Sequence, residues 1–308
     1  MKKFIEKIIF VLFFCIFFVF IFCSCGYEYK TKKEVLNKNI KIITTIFPQY
    51  DFVKHLTKGI PNVEVLMLSP PGVDVHCFEP TPKDITNIKS ADMFIYVGGN
   101  GDSWVRKILN SVEDKKCRAV SLFEILKKDE KKLEDEHVWT SILNCIRIVE
   151  FLGRELCEID KNNKEKYLKN MKEYIEELTD LDKKFGDVVE NKKMDFVVFA
   201  DKFPFKNLFH DYGVRCVKAY RNCSSKSEVS PSEIAKIIEI VKKNGVKVIL
   251  KTEGTNDESV AKTISKETGA KILTLNSCHT CSKKDFENGK TFLEFYEENL
   301  EILKEALS

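Results

Sequence analysis

Two runs of alternating strand and helix patterns, separated by one long helical stretch, constrain this chain more than any other feature. In the first run, apolar segments at 42–47, 63–68, 93–97 and 119–122 read as strands, with helical patterns at 49–59, from Lys83 and at 104–112. Helical periodicity then runs from Ser141 to Val189, with one break at Asp160-Lys-Asn-Asn163. Within it Tyr167, Met171, Tyr174, Ile175, Leu178, Leu181 and Phe185 fall on one face, the pattern of a packing stripe. Alternation resumes with strands at 196–200, 214–219, 246–250 and 272–275, and a final helix at 291–307 closes the chain. This β-α order implies parallel, doubly wound sheets. The expected architecture is α/β: a lobe at 40–158, a long rigid linking helix at 159–190, and a second lobe at 191–308. Loops at the strand ends of the two lobes can then face one another across a cleft.

The N-terminus states a destination. Lys2, Lys3 and Lys7 precede an apolar run at 8–22 that is short for a membrane span, and the run ends in Phe22-Cys-Ser-Cys-Gly26. A small residue before a cysteine, directly after an apolar segment, is the pattern of a bacterial lipoprotein signal. Residues 1–24 are therefore expected to be a signal peptide, Cys25 the lipidated first residue of the mature chain, and 25–39 a polar tether. An uncleaved N-terminal anchor is the other reading, and both place the rest of the chain on the extracytoplasmic face of the cell membrane. Loss of residues 1–24 removes a net +2 from a formal charge of +3, which gives no sign of a nucleic-acid partner. A monomer is expected.

Candidate chemistry gathers on three loop histidines. Gly72-Val-Asp-Val-His-Cys-Phe-Glu-Pro-Thr-Pro82 follows one strand and precedes a well-specified helix start, with Thr81 as cap, Pro82 at the first helical position and Asp84 completing a capping box. Of the chain's five histidines, His76, His137 and His279 fall in loops or at element starts, whereas His55 and His210 lie inside amphipathic helical stretches. Three imidazoles and one carboxylate would make a closed four-coordinate site suited to zinc. Spacing leaves their convergence open.

The stretch 72–82, with Asp92-Met-Phe-Ile-Tyr-Val-Gly98 and Trp104 after it, resembles the zinc/manganese solute-binding lipoproteins of bacterial ABC importers, the cluster A-I metal-binding family. His137-Val-Trp139 is similar to that family's second metal-binding segment. The resemblance implies a metal held between two α/β lobes bridged by a rigid helix, with release to an ABC permease in the cytoplasmic membrane. On that basis His76 and His137 are the first two ligands. The second lobe departs from the common pattern, and Asp201, in Ala200-Asp-Lys-Phe-Pro-Phe205, and His279, in Asn276-Ser-Cys-His-Thr-Cys281, take the remaining roles by position and chemistry. Asp201 could equally cap the next helix or pair with Lys202, so Glu253 is the reserve carboxylate. This ligand set favours Zn2+ over Mn2+, but the region where zinc members often carry a His-rich loop is Lys/Glu-rich here.

With Cys15, Cys23 and Cys25 set aside, eight of the eleven cysteines remain, many for an exported chain. Cys278-His-Thr-Cys281 has the spacing of redox motifs and zinc knuckles. A structural disulfide between Cys223 and Cys278 is the plainer expectation. The rival functions are an exported thiol-disulfide oxidoreductase using Cys278 and Cys281, a zinc hydrolase with Glu253 as base, and an adhesin.

Overall fold

The computed structural model describes residues 39–73, 78–99, 102–110, 117–127, 135–220, 229–254 and 258–308. Residues 1–38, and with them the signal peptide, Cys25 and most of the tether, lie outside the described residues, as do His76 and Cys223.

Each half builds a four-stranded, fully parallel sheet. The first contains β1 (Ile40–Thr44), β2 (Val63–Met67), β3 (Met93–Tyr96) and β4 (Arg118–Ser121) in the order β2-β1-β3-β4. The second repeats that order with β5 (Phe196–Phe199), β6 (Arg215–Lys218), β7 (Val248–Thr252) and β8 (Lys271–Leu275), as β6-β5-β7-β8. The central strands are covered on both faces, so they read as unbroken apolar runs: Ile42, Ile43, Met93, Phe94 and Ile95 have no exposed surface. In both sheets the strand order reverses at one crevice, between β1 and β3 and between β5 and β7. The carboxyl ends of strands at such a crevice are where doubly wound sheets bind ligands.

Helices cover the sheets: α1 (Phe47–Leu56), α2 (Pro82–Ser90), α3 (Ser103–Asn110) and α4 (Leu122–Lys127) in the first half, and α7 (Lys206–Asp211), α8 (Pro231–Asn244), α9 (Ser259–Thr268), α10 (Lys283–Glu287) and α11 (Phe292–Ala306) in the second. The capping chemistry read at 81–84 is present: Thr81 Oγ1 accepts from the Asp84 amide, and the Asp84 carboxylate accepts from the Thr81 amide at 2.8 Å. Ser230 and Glu233 do the same for α8. Three details differ from expectation. The first strand stops at Thr44, because the Gln49 side chain takes the Thr45 amide and hydroxyl at 2.9 and 3.0 Å and turns the still-apolar chain into α1. The short helices α4 and α10 were not anticipated, being too brief to show a period.

Between the halves, α5 (Ile142–Ile159) and α6 (Lys164–Glu190) are joined by a 3-10 turn at Lys161–Asn163, at the break the sequence indicated. Gly153 lets the pair approach closely, since a Cβ there would lie 2.6 Å from Met171 Sδ. At ~1.5 Å per residue α6 is about 40 Å long, and it packs on α1 from the first half and α11 from the second. Its stripe is buried through Tyr167, Tyr174, Leu178, Leu181 and Phe185, with Met171 and Ile175 partly covered. One apolar cluster continues from the first sheet to the second through Phe52 against Phe292 (ring centroids 5.1 Å) and Phe47 against Phe295 (5.8 Å). The lobes are thus joined by a shared core as well as by the long helix.

Candidate metal centre

His137 enters from the segment ahead of α5, and His279 from the loop after β8. The two imidazoles, far apart in sequence, meet edge to face with centroids 5.3 Å apart. Trp139 lies against both rings, at 5.4 Å from His137 and 5.0 Å from His279.

Each histidine is held by a network of its own. Asp135 Oδ1 accepts from the His137 amide at 2.9 Å and from its ring Nδ1 at 2.8 Å. Because the partner is a carboxylate, Nδ1 carries the hydrogen and Nε2 keeps the lone pair that can ligate a metal. Burial opposes the Asp135 charge, but the hydrogen bond and charge of His137 outweigh it and lower the carboxyl's pKa. The His137 carbonyl accepts from Thr140 Oγ1 at 2.8 Å and from Asn207 Nδ2 at 2.9 Å, the latter on α7 of the second half. Around His279, Ser277 is the fixed point. Its amide and hydroxyl donate to Glu253 at 2.7 and 2.6 Å, its carbonyl accepts from Trp139 Nε1 at 2.8 Å, and its Oγ accepts from the His279 amide at 3.3 Å. Asn299 on α11 clasps Asn276 from both sides, through its amide at 2.8 Å and its carbonyl at 2.7 Å. This loop is tight enough to hold Cys278 at φ 58°, a left-handed conformation rare for a residue with a side chain.

Glu253, expected as a reserve ligand, thus uses both oxygens to anchor the loop that carries His279. Asp201 sits at the second sheet's crevice, buried, with Oδ1 accepting from the Lys202 amide at 2.7 Å and Oδ2 from the Thr252 amide at 3.2 Å. For His76 only the stems of its loop are described. Gly72 donates its amide to Thr280 Oγ1 at 3.0 Å, beside His279, and Phe78 packs edge-on against Trp104 at 5.9 Å. Gly99, at φ 86°, lets the loop after β3 lie against Glu136: a Cβ there would be 2.5 Å from Glu136 Oε2. His55 and His210 lie in α1 and α7, as expected, and His210 is exposed.

The expected Cys223–Cys278 bridge involves Cys223, which lies outside the described residues; Cys278 itself is a free thiol buried completely in the core cluster. Cys281 is likewise free and buried. Burial pushes the Cys278 thiol far up, with Glu253 adding to it, and pushes Cys281 up to about 12, with Asp285 adding to it. Both shifts disfavour the thiolate that disulfide exchange requires. The sequence reading missed Asp135, Ser277 and Asn299. The Asp-x-His spacing of 135–137 was the available signal for the first, and nothing local marks the other two.

The family model for the periplasmic zinc-uptake complex component A, ZnuA, matches residues 42–306. The chain belongs to the ZnuA family. It is 31% identical over 303 residues to the high-affinity zinc uptake system protein ZnuA of Bacillus subtilis, covering 92% of this chain and 93% of that one. Its identity to the zinc-binding lipoprotein AdcA of Streptococcus pneumoniae is 30% over 283 residues, covering 87% of this chain but 56% of that longer protein. The structure of AdcA's Zn(II)-bound ZnuA-like domain superposes with a TM-score of 0.74, over 87% of this chain and 99% of that domain. At 25% identity and a TM-score of 0.73, the ZnuA fold here also resembles the laminin-binding protein Lmb of Streptococcus agalactiae, a bifunctional protein with adhesin and metal transporting activity, over 87% of this chain and 100% of that one.

Proposed function

We propose that this chain captures zinc outside the cytoplasm and delivers it to a membrane ABC permease, doing no chemistry on the ion. The observation that carries the reading is the edge-to-face approach of His137 and His279 from opposite halves, with the His137 tautomer fixed by Asp135. His76, His137, His279 and Asp201 are the four ligands. Four residues span at most about 14 Å, so the tie between Gly72 and Thr280 keeps the His76 segment within reach of His279. Two ligands then come from each half, and imidazole-rich, closed coordination suits zinc better than manganese. The zinc-binding names of the relatives support the same choice. Burial of Cys278 and Cys281, which pushes both thiols up, argues against the oxidoreductase alternative. Engagement of both Glu253 oxygens by Ser277 argues against a hydrolase base there. The chain is anchored by lipid at Cys25, which holds it beside its permease.

Calorimetric titration of chelator-stripped protein with zinc should give one site per chain. His76→Ala, His137→Ala and His279→Ala should each remove most of the affinity, and manganese should compete poorly. Unchanged zinc binding in all three variants would sink the reading. Cys25→Ala should release the protein from membranes or leave an unprocessed precursor.

A further inference from the structure

A cavity of about 280 Å³ opens between α1 and the α10–α11 turn, lined by Phe47, Tyr50, Lys54, His55, Phe286 and Lys290 among others. Its walls are of two kinds. Tyr50 and Phe286 form a tilted aromatic pair at 5.3 Å, and Phe47 backs them. On the same helix as Tyr50, Lys54 stands exposed one turn on and Lys58 just after α1, and neither ammonium forms an ion pair among the described residues. The remaining charges are committed. Lys290 binds Glu298 at 2.7 Å and covers the Phe295 ring, while Asp51 accepts from Tyr174 at 3.2 Å and faces His55 Nδ1 at 3.3 Å.

His55 is built into this wall. Its ring stacks on Tyr174 at 4.1 Å and 9°, and Nδ1 also donates to the Asp51 carbonyl at 2.9 Å. The Nε2 edge has no hydrogen-bond partner among the described residues. Burial disfavours a charge on His55, but the hydrogen bond and charge of Asp51 outweigh it and raise the pKa.

We propose that this cavity is a binding site for a small aromatic carboxylate, its ring against Tyr50 and Phe286 and its carboxylate among Lys54, Lys58 and His55. An apolar pocket with a few convergent polar groups is the ordinary form of a small-molecule site, and this volume, just under the ~300 Å³ at which such sites commonly begin, suits one or two fused rings. The aromatic wall selects a flat apolar body, and the uncommitted charges are all cationic. Since α1 belongs to the first half and α10–α11 to the second, an occupant would touch both lobes at a place separate from the zinc ligands.

The test uses 2-naphthoate as probe on the zinc-loaded protein, with 2-naphthylmethylamine as the cationic match and histidine-ring NMR as readout. Naphthoate should shift the His55 ring signals, assigned by their loss in His55→Asn, and leave His210 unmoved. The amine should not bind detectably. Lys54→Ala/Lys58→Ala should weaken naphthoate by about tenfold or more, the worth of one charge-assisted hydrogen bond. Both lysines are exposed, so an unchanged melting temperature will verify the fold of that variant. Tyr50→Ala should remove saturation transfer to the naphthalene ring. Any of four results would overturn the proposal: no naphthoate binding at millimolar concentration, equal binding of the amine, an unaffected double variant, or shifts confined to His137 and His279.

Discussion

Single side chains in this molecule divide into those that would touch the metal and those that aim them. Asp135 belongs to the second group. A carboxylate on the far nitrogen of a ligating imidazole fixes its orientation and raises its basicity, and its loss typically costs ~10- to 100-fold in metal affinity. Asp135→Asn should therefore weaken zinc by about that factor in competition titrations while leaving one site per chain. His55 gives a second test at this scale. Its folded pKa is raised, because Asp51 outweighs burial. Its charged form is therefore favoured by folding. That contribution is fully present below the unfolded value of ~6.5 and disappears as pH rises through the folded value. Asp51 and Glu177 favour the charge, and Lys54 and Lys58 are the nearby cations on its own side. The melting-temperature advantage of wild type over His55→Asn should thus be largest at pH 5.5 and shrink above pH ~6.5. A flat difference across that range would remove His55 from the account.

Among the elements, the loop after β8 shows how a ligand is held without the ligand's own neighbours in sequence. Glu253 comes from the end of β7, Asn299 from α11 and Trp139 from the 3-10 turn Val138–Thr140, and all three converge on 276–277. Trp139→Phe keeps the ring but strands the buried Ser277 carbonyl, a loss of about 1–3 kcal/mol. Denaturant unfolding should show that loss together with weaker zinc binding. Glu253→Ala should do the same, whereas Glu253→Gln, which can still accept the Ser277 amide, should recover most of the affinity. A direct metal ligand would instead lose most of its affinity in the Gln form. This convergence also explains what the sequence could and could not disclose. The strands, the α6 stripe and the caps at Thr81 and Ser230 are local patterns of period and hydrogen bonding, so they were legible. His137 and His279 stood out as loop histidines, yet their approach depends on two sheets and a helix between them. The Ser277–Glu253 clamp and the Asn299 clasp have no local pattern. The free Cys278 follows from burial in the core cluster, which cysteine spacing does not encode.

At the scale of the whole molecule, the shared core decides how metal and fold are coupled. Phe52, Phe292, Tyr296 and the α6 stripe join the halves in one apolar cluster, so the ion is not needed to bring the lobes together. It should instead add to an already packed interface. A ligand selective for the folded state stabilises by RT ln(1 + [L]/Kd), about 4 kcal/mol at a thousandfold excess over Kd. Zinc should accordingly raise the melting temperature of the wild-type chain, and the rise should grow with the logarithm of free zinc. His76→Ala and His137→Ala should lose most of that rise, while His55→Ala and His210→Ala, whose side chains lie in α1 and α7, should keep it. Imidazoles bind metal only when neutral, so the rise should also fade as pH drops toward ~6.5. Asp201→Ala addresses the fourth position: Asp201 already accepts two backbone amides, and its removal frees both. A lower melting temperature without zinc but an undiminished zinc-induced rise would make Asp201 a structural cap at the β5–β7 crevice. A diminished rise would make it a ligand.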